Sequence, residues 1–489
     1  PRKVNFQTLS DIFTCWAPLG DETFFEGISQ LQPGHLAVYS QAGFKTRRYW
    51  TLDFRAYEHD QRPLSSLVEE LTELLLDASR IRLRADVPVG AYLSGGLDST
   101  FISTLVKRNF DNTLCTFSVA FSDERFDETR FQQKAVESIG TSHKTVRCSE
   151  DDIGQVFDQI IWHTELPILR TAPAPLFHLS RLVRENNFKV VLTGEGADEF
   201  FAGYNIFREV LVRRFWARQP ESTLRPRLLE RLYPYVFSQG NGKGREFLKR
   251  FFKKGLTQTD SPVYSHILRW ENTAHLRSFF NPDILDVTGG LQTFMDRFTS
   301  QLPPDFMSWH PLSRAQYTEI CIFLCNYLLS SQGDRMAMGH SVEGRFPYLD
   351  HRVMEFATKI PVRYRINGLT EKFLLKKAAE SIIPQELAQR PKQPYRAPIS
   401  RCFTGPSAPD FARELLSYES IKDKGYFDPV RVARLMKKCE RQDGHLLSER
   451  ENMALVGILS TQLVDELFIK NFPPYPVKEA GEIRIFGLT

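Results

Sequence analysis

Residues 91–100, Ala-Tyr-Leu-Ser-Gly-Gly-Leu-Asp-Ser-Thr, combine small hydroxyls, paired glycines and one acid in a single turn. Glycines let the backbone approach an anion closely, and hydroxyl and turn N–H groups can donate to phosphate oxygens. An apolar helical pattern follows, and its N-terminal end directs partial positive charge at the same anion. Asp98 lies inside this turn. A carboxylate there repels phosphate unless Mg²⁺ stands between them, so Asp98 is expected to be a metal ligand. Together these residues point to a site that binds ATP and acts on its phosphates.

Three further segments carry chemistry-bearing side chains. Thr193-Gly194-Glu195-Gly196-Ala197-Asp198-Glu199 places three acids and two glycines in seven residues. Acids at a strand end near a phosphate loop suit a second Mg²⁺ ligand and a general base. A capped turn, with carboxylates bonded to backbone N–H groups, is the plainer alternative. Residues 338–350 hold Glu343 and Arg345, which could act in catalysis or form a structural ion pair. Residues 390–398, Arg-Pro-Lys-Gln-Pro-Tyr-Arg-Ala-Pro, are stiffened by proline and carry Lys392, a mobile point charge suited to phosphate or to a surface turn.

The elements that must position these groups follow from hydrophobic periodicity. A helix near Thr8 to Thr14 precedes strand-like alternation after Gly34, and a charged linker is expected near Arg55 to Arg62. From Pro63 the pattern becomes βαβα. Leu64 to Arg80 reads as an amphipathic helix, Val87 to Leu93 as a strand, and Leu114 to Phe121 as a buried strand. Arg130 to Ile139 and Leu176 to Arg184 read as helices, His143 to Arg147 and Lys189 to Thr193 as strands. This alternation implies a doubly wound α/β parallel sheet, whose ligands bind at the carboxyl ends of the strands. Ser94 to Ser99, the region after Val119, and Gly194 to Asp198 all fall there, which argues for one site. From Asn205 onward the chain reads as mostly helical.

A length of 489 residues allows two or more domains, and a net charge of +4 gives no global signal for nucleic acid. The seven cysteines are scattered, odd in number and free of CxxC spacing. That disfavours a disulfide framework or zinc site and fits a reducing cytoplasm. No run is expected to span a membrane, and no signal peptide is expected at the start of the chain.

The loop is neither GxxxxGK[ST] nor GxGxxG. Ser-Gly-Gly-Leu-Asp-Ser resembles the pyrophosphate loop of the N-type ATP pyrophosphatases (adenine nucleotide alpha hydrolase-like), which split ATP between the α- and β-phosphates. Four ordered blocks extend the likeness: Leu-Ser-Gly-Gly-Leu-Asp-Ser, Thr-Gly-Glu-Gly-Ala-Asp-Glu, Ser-Val-Glu-Gly-Arg-Phe-Pro-Tyr-Leu-Asp and Arg-Pro-Lys-Gln-Pro-Tyr. With Ala454 to Gln462, they make the chain similar to the glutamine-hydrolysing asparagine synthetases of the bacterial class. The resemblance implies a synthetase domain at 61–489 with a large helical C-terminal part. Residues 1–60 then correspond to a linker and the last part of an Ntn-type glutaminase domain. The nucleophilic N-terminal cysteine of that domain is absent, so the chain as written is expected not to hydrolyse glutamine.

Residue by residue, the resemblance implies that Ser94, Gly95, Gly96 and Ser99 hold pyrophosphate. Asp98 and Asp198 bind Mg²⁺, and Leu93, Val119, Thr193 and Gly194 line the nucleotide site. Glu195 is implied as the base for incoming ammonia and Lys392 as the cation for departing pyrophosphate. Glu343 is a third catalytic candidate, and Arg170 and Thr171 fall loosely where aspartate is handled. The expected reaction converts aspartate to asparagine through β-aspartyl-AMP, using ATP, Mg²⁺ and ammonia. Expected partners are these small molecules, a separate glutaminase chain or segment, and a second copy in a homodimer. A pathway amidotransferase or an amide-forming cyclase acting on another carboxylic acid is the alternative. β-Lactam synthetases carry tyrosine where this chain has Glu195, which disfavours them. A partner-binding subunit without catalysis would predict a broken phosphate loop, and this loop is intact.

Overall fold

Local sequence sets the order of elements, and the parallel sheet sets where their ends meet. The structure, a computed structural model, describes residues 2–55, 60–111, 113–234, 243–393, 395–405, 407–441 and 447–472. The expected linker falls partly on 56–59, outside the described residues.

Helix α1 (Phe6–Cys15) is capped by Asn5, whose side chain accepts from Thr8 N–H. It buries Leu9, Ile12 and Phe13, and Phe13 packs its ring 4.8 Å from Phe280. Strands β1 (His35–Ser40) and β2 (Gly43–Arg48) form a separate exposed antiparallel hairpin. Helix α2 (Leu64–Arg82) buries Leu67, Leu71, Leu75 and Ala78, the single stripe that its periodicity predicts.

The main sheet holds β3 (Val89–Tyr92), β4 (Cys115–Phe121), β5 (Ser142–Cys148), β6 (Val190–Leu192) and β7 (Glu343–Arg345). All are parallel, in the order β5-β4-β3-β6-β7. β4 is buried along its whole length, as a near-continuous Cys/Phe/Val/Ala run requires, while β5 is a polar edge. Helices α3 (Leu97–Asn109), α4 (Thr129–Ile139), α5 (Glu150–Gln155), α6 (Phe157–Thr164), α7 (Pro173–Glu185) and α8 (Ala197–Phe200) connect or follow these strands. The chain moves outward from β3 to β5 on one side and continues through β6 to β7 on the other. The boundary between β3 and β6 is therefore a topological switch point, where successive loops diverge and leave a crevice at the carboxyl ends.

Beyond α8 the described chain is helical apart from β7, including a 15-residue π-helical run, Ile320–Asp334. The helical run Glu449–Lys470 is long and apolar enough to cross a membrane, contrary to the expectation that no run is. Residues 453 to 464 are all buried within the protein, so it serves as a core helix here.

Candidate active site

The turn between β3 and α3 curls onto the first turn of its helix. Ser94 N–H donates to Ser99 Oγ at 3.2 Å, the two Oγ atoms are 3.2 Å apart, and Gly96 N–H donates to Ser94 Oγ at 3.3 Å. Gly95 adopts φ +71°, the left-handed region that only glycine enters without penalty. Its carbonyl accepts from Arg390 Nη1 at 3.3 Å, which ties the basic 390–398 segment to the loop. Arg390 also pairs with Glu128 and lies over the Phe131 ring, 3.8 Å from its centroid.

The loop after β6 packs directly against this turn: a Cβ on Gly194 would lie 3.0 Å from Asp98 Cβ. One cleft runs along both loops, lined by Leu93, Ser94, Gly96, Asp98, Ser99, Val119, Thr193, Gly194, Glu195, Asp198 and Lys392. Gly95 contributes through its backbone, one residue away. Nearly all of the expected nucleotide-site residues thus converge at the switch point.

Gln132, from the first turn of α4, closes one wall. Its Nε2 donates to Val119 O at 2.8 Å, while its buried Oε1 has no hydrogen-bond partner among the described residues. Buried acceptors are rarely left unmade, and this one suits the amino group of a bound base.

At the other end four charges interlock. Lys372 Nζ lies 2.7 and 2.6 Å from the two oxygens of Asp98 and 2.6 Å from Asp198 Oδ1. Lys392 Nζ reaches Asp198 Oδ2 at 2.7 Å. Burial opposes the charge on Asp198, but the two ammoniums outweigh it and hold the carboxyl below the usual carboxylate range. Glu195 shows the opposite balance. Burial pushes its carboxyl up, Lys392 pulls it down, and Asp198 and Asp98 push it up again, leaving it above the ordinary value. A carboxylate so raised makes a better proton acceptor. Asp98 and Asp198 could hold a divalent cation, and among the described residues no group of three or more His, Cys, Asp or Glu is placed to hold one. A Mg²⁺ held by two carboxylates takes its other ligands from phosphate and water, which fits a nucleotide cleft.

Lys372 is the site residue that sequence reading missed. It sits at the start of the helix Phe373–Ala379, far along the chain from both aspartates. Its surroundings, Thr370-Glu371-Lys372-Phe373-Leu374-Leu375-Lys376, read as an ordinary amphipathic helix start. Gln132, Glu128 and Gln332 also line the cleft without a local signal.

Glu343 does not reach the cleft, and its expected catalytic role is withdrawn. It pairs with Val190, the first residue of β6, at the amino end of the parallel sheet, whereas Glu195 follows the carboxyl end of β6. Its side chain is 57% exposed and accepts from Arg345 Nε at 2.7 Å. The rest of that segment supports the fold. Tyr348 OH donates to Asp98 O at 3.2 Å, and Asp350 caps the helix His351–Lys359 and pairs with Arg82 and Arg352.

Arg170 and Thr171 also lie outside the cleft lining. Arg170 pairs with Glu449 and stacks over Trp16, and Thr171 donates to Pro398 O at 2.7 Å. Pro394, within the fourth block, falls outside the described residues.

Comparison with known proteins follows the same geometry. Residues 70–466 match the family described as asparagine synthase. The chain is 31% identical over 379 residues to the glutamine-hydrolyzing asparagine synthetase 1 of Bacillus subtilis, covering 76% of this chain and 56% of that protein. It is 28% identical over 434 residues to amidase chyE of Penicillium rubens, covering 83% and 64%. A putative glutamine-hydrolyzing asparagine synthetase of Mycobacterium bovis is 31% identical over 383 residues, covering 77% and 56%. The chain thus spans little more than half the length of these synthetases. With its family match covering most of the sequence and its matched residues forming the cleft at the switch point, the chain belongs to the asparagine synthase family.

Proposed function

We propose that the chain activates a carboxylic acid with ATP and transfers the acyl group to ammonia, with aspartate as the acid and asparagine as the product. The observation that carries this reading is the convergence of the Ser94–Ser99 loop, Asp98, Asp198, Lys392 and Glu195 in one cleft at the carboxyl ends of β3 and β6. In the first step a carboxylate oxygen of the acid attacks the α-phosphorus, and the bond to the β-phosphate breaks, releasing pyrophosphate. The loop N–H and hydroxyl groups bind the phosphates, and Lys392 neutralises charge on the leaving group. Asp98 and Asp198 would hold Mg²⁺, which supplies further charge neutralisation at the phosphates. In the second step ammonia attacks the acyl carbon, AMP leaves, and Glu195 accepts the surplus proton. Nitrogen is supplied as ammonia, or from glutamine through a separate glutaminase chain or segment.

A second reading, amide formation on a different acid, draws on one feature of the cleft. Lys372, Lys376, Lys392 and Arg390 all line it, and each already pairs with a carboxylate. The α-carboxylate of aspartate would compete for one of them. The similarity to amidase chyE over 83% of the chain is compatible with this reading.

The test is pyrophosphate release with ATP, Mg²⁺ and ammonium across aspartate, glutamate and other carboxylic acids. Aspartate-dependent release with asparagine as product supports the first reading. Release with another acid alone supports the second, and silence with every acid overturns both.

A further inference from the structure

We infer that Lys372 is a resident cation for the metal position. In the nucleotide-free protein its ammonium occupies the place between Asp98 and Asp198, and a divalent cation entering with ATP displaces it toward the phosphates. The inference rests on the ATP-dependent reading of the same cleft.

Two buried carboxylates in adjoining loops repel each other strongly when both are ionised. The Lys372 ammonium removes that repulsion, with contacts of 2.6–2.7 Å to three of their four oxygens. The chain accepts local costs to place it there. Lys372 has φ +49°, the left-handed region, which is unfavourable for a non-glycine residue. Opposite it, Gly203 leaves the needed space: a Cβ there would lie 2.2 Å from Lys372 Cε and 2.1 Å from Asp198 Oδ1. Among the described residues the ammonium is the only group that bridges the two aspartates, since Lys392 pairs with Asp198 and Lys376 is held by Glu371.

The same arrangement determines when the cation can be exchanged. Two carboxylates provide too few ligands for Mg²⁺ to displace a buried lysine unaided. Phosphate oxygens in the cleft would complete the metal's coordination and also offer Lys372, which lines the cleft, a new partner. The empty protein would then resist free divalent cations, and metal and nucleotide would bind with positive coupling.

The experiment titrates the full chain with Mn²⁺, following free Mn²⁺ by electron paramagnetic resonance, with and without α,β-methylene-ATP. Wild type should bind Mn²⁺ weakly alone and far more tightly with the analogue. Lys372→Met should bind Mn²⁺ without nucleotide about tenfold more tightly than wild type, because nothing must be displaced. Its melting temperature should also rise with Mg²⁺ more than that of wild type. Nucleotide-free Mn²⁺ affinity that is unchanged or weaker in a folded Lys372→Met overturns the inference. If Lys372→Met is recovered only in Mg²⁺, that dependence supports it, and Lys372→Gln then carries the titration. Failure of both variants to fold even in Mg²⁺ makes the lysine a structural requirement and overturns the inference. Failure of wild type to bind the analogue in the presence of Mn²⁺ would instead strike the ATP-dependent reading itself.

Discussion

The loop after β6 and the segment around β7 look alike as sequence and differ entirely in place. Both pack acids, glycines and aromatic residues into about a dozen positions. In the first, Glu195 and Asp198 follow the carboxyl end of a central strand, and their charges converge with Lys372 and Lys392 in the cleft. In the second, Glu343 starts an edge strand at the opposite end of the same sheet and pairs with Arg345 at the surface. Acid content alone therefore does not locate chemistry in a parallel sheet. The end of the strand on which the acid falls decides it.

Variants can break or sharpen this contrast. Glu195→Gln should lower amide formation by about 10³-fold while retaining ATP–pyrophosphate exchange, because only the proton acceptor is removed. In wild type the rate should fall as pH drops through a Glu195 pKa above the ordinary glutamate value, since the base must be ionised, and this acidic limb should vanish in the variant. A pH profile of both steps checks it. Lys392→Ala should slow pyrophosphate release by about 10²-fold, with a thermal melt showing that the fold persists.

On the other side of the contrast, effects should fall on stability. Burial opposes ionisation of Asp350, but hydrogen bonds from Arg352 and Arg82 outweigh it and hold the carboxyl well below the usual range. Its stabilisation is therefore present at neutral pH and is lost as pH falls. Asp350→Ala should cost about 2 kcal/mol in urea unfolding at pH 7, with the gap to wild type narrowing toward acid. Tyr348→Phe removes the hydroxyl that braces Asp98 O and should cost about 1 kcal/mol, with a small rise in the KM for ATP. Glu343→Gln should change turnover by less than about twofold, because an exposed ion pair contributes little. A large loss of activity there would undo the comparison.

Much of the sheet was legible because its strands and helices have clean periods: Leu114 to Phe121 anticipates β4, and Leu64 to Arg80 anticipates α2, observed as Leu64–Arg82. β7 was not, since Glu-Gly-Arg has neither β-branched residues nor alternation and is a strand only because β6 offers it an edge. The meeting of the Ser94–Ser99 loop, Glu195, Asp198 and Lys392 in one cleft was legible because each lies in a compact turn-forming segment. Lys372 was hidden because its role comes from tertiary placement, a helix start carried across to two loops that lie far earlier in the chain. Gln132 was hidden for the same reason: as an ordinary position in an amphipathic helix, it acquires meaning only through the unpaired oxygen it holds beside Val119.

The central claim is that this cleft joins a carboxylate oxygen to the α-phosphorus of ATP. The most direct measurement supplies carboxyl-¹⁸O-labelled acid, using whichever acid supports pyrophosphate release, with ATP, Mg²⁺ and ammonium, and reads the products by mass spectrometry. The account predicts AMP carrying one ¹⁸O, pyrophosphate without label, and an amide that retains the remaining oxygen. Unlabelled AMP, or ADP and phosphate in place of AMP and pyrophosphate, would contradict it.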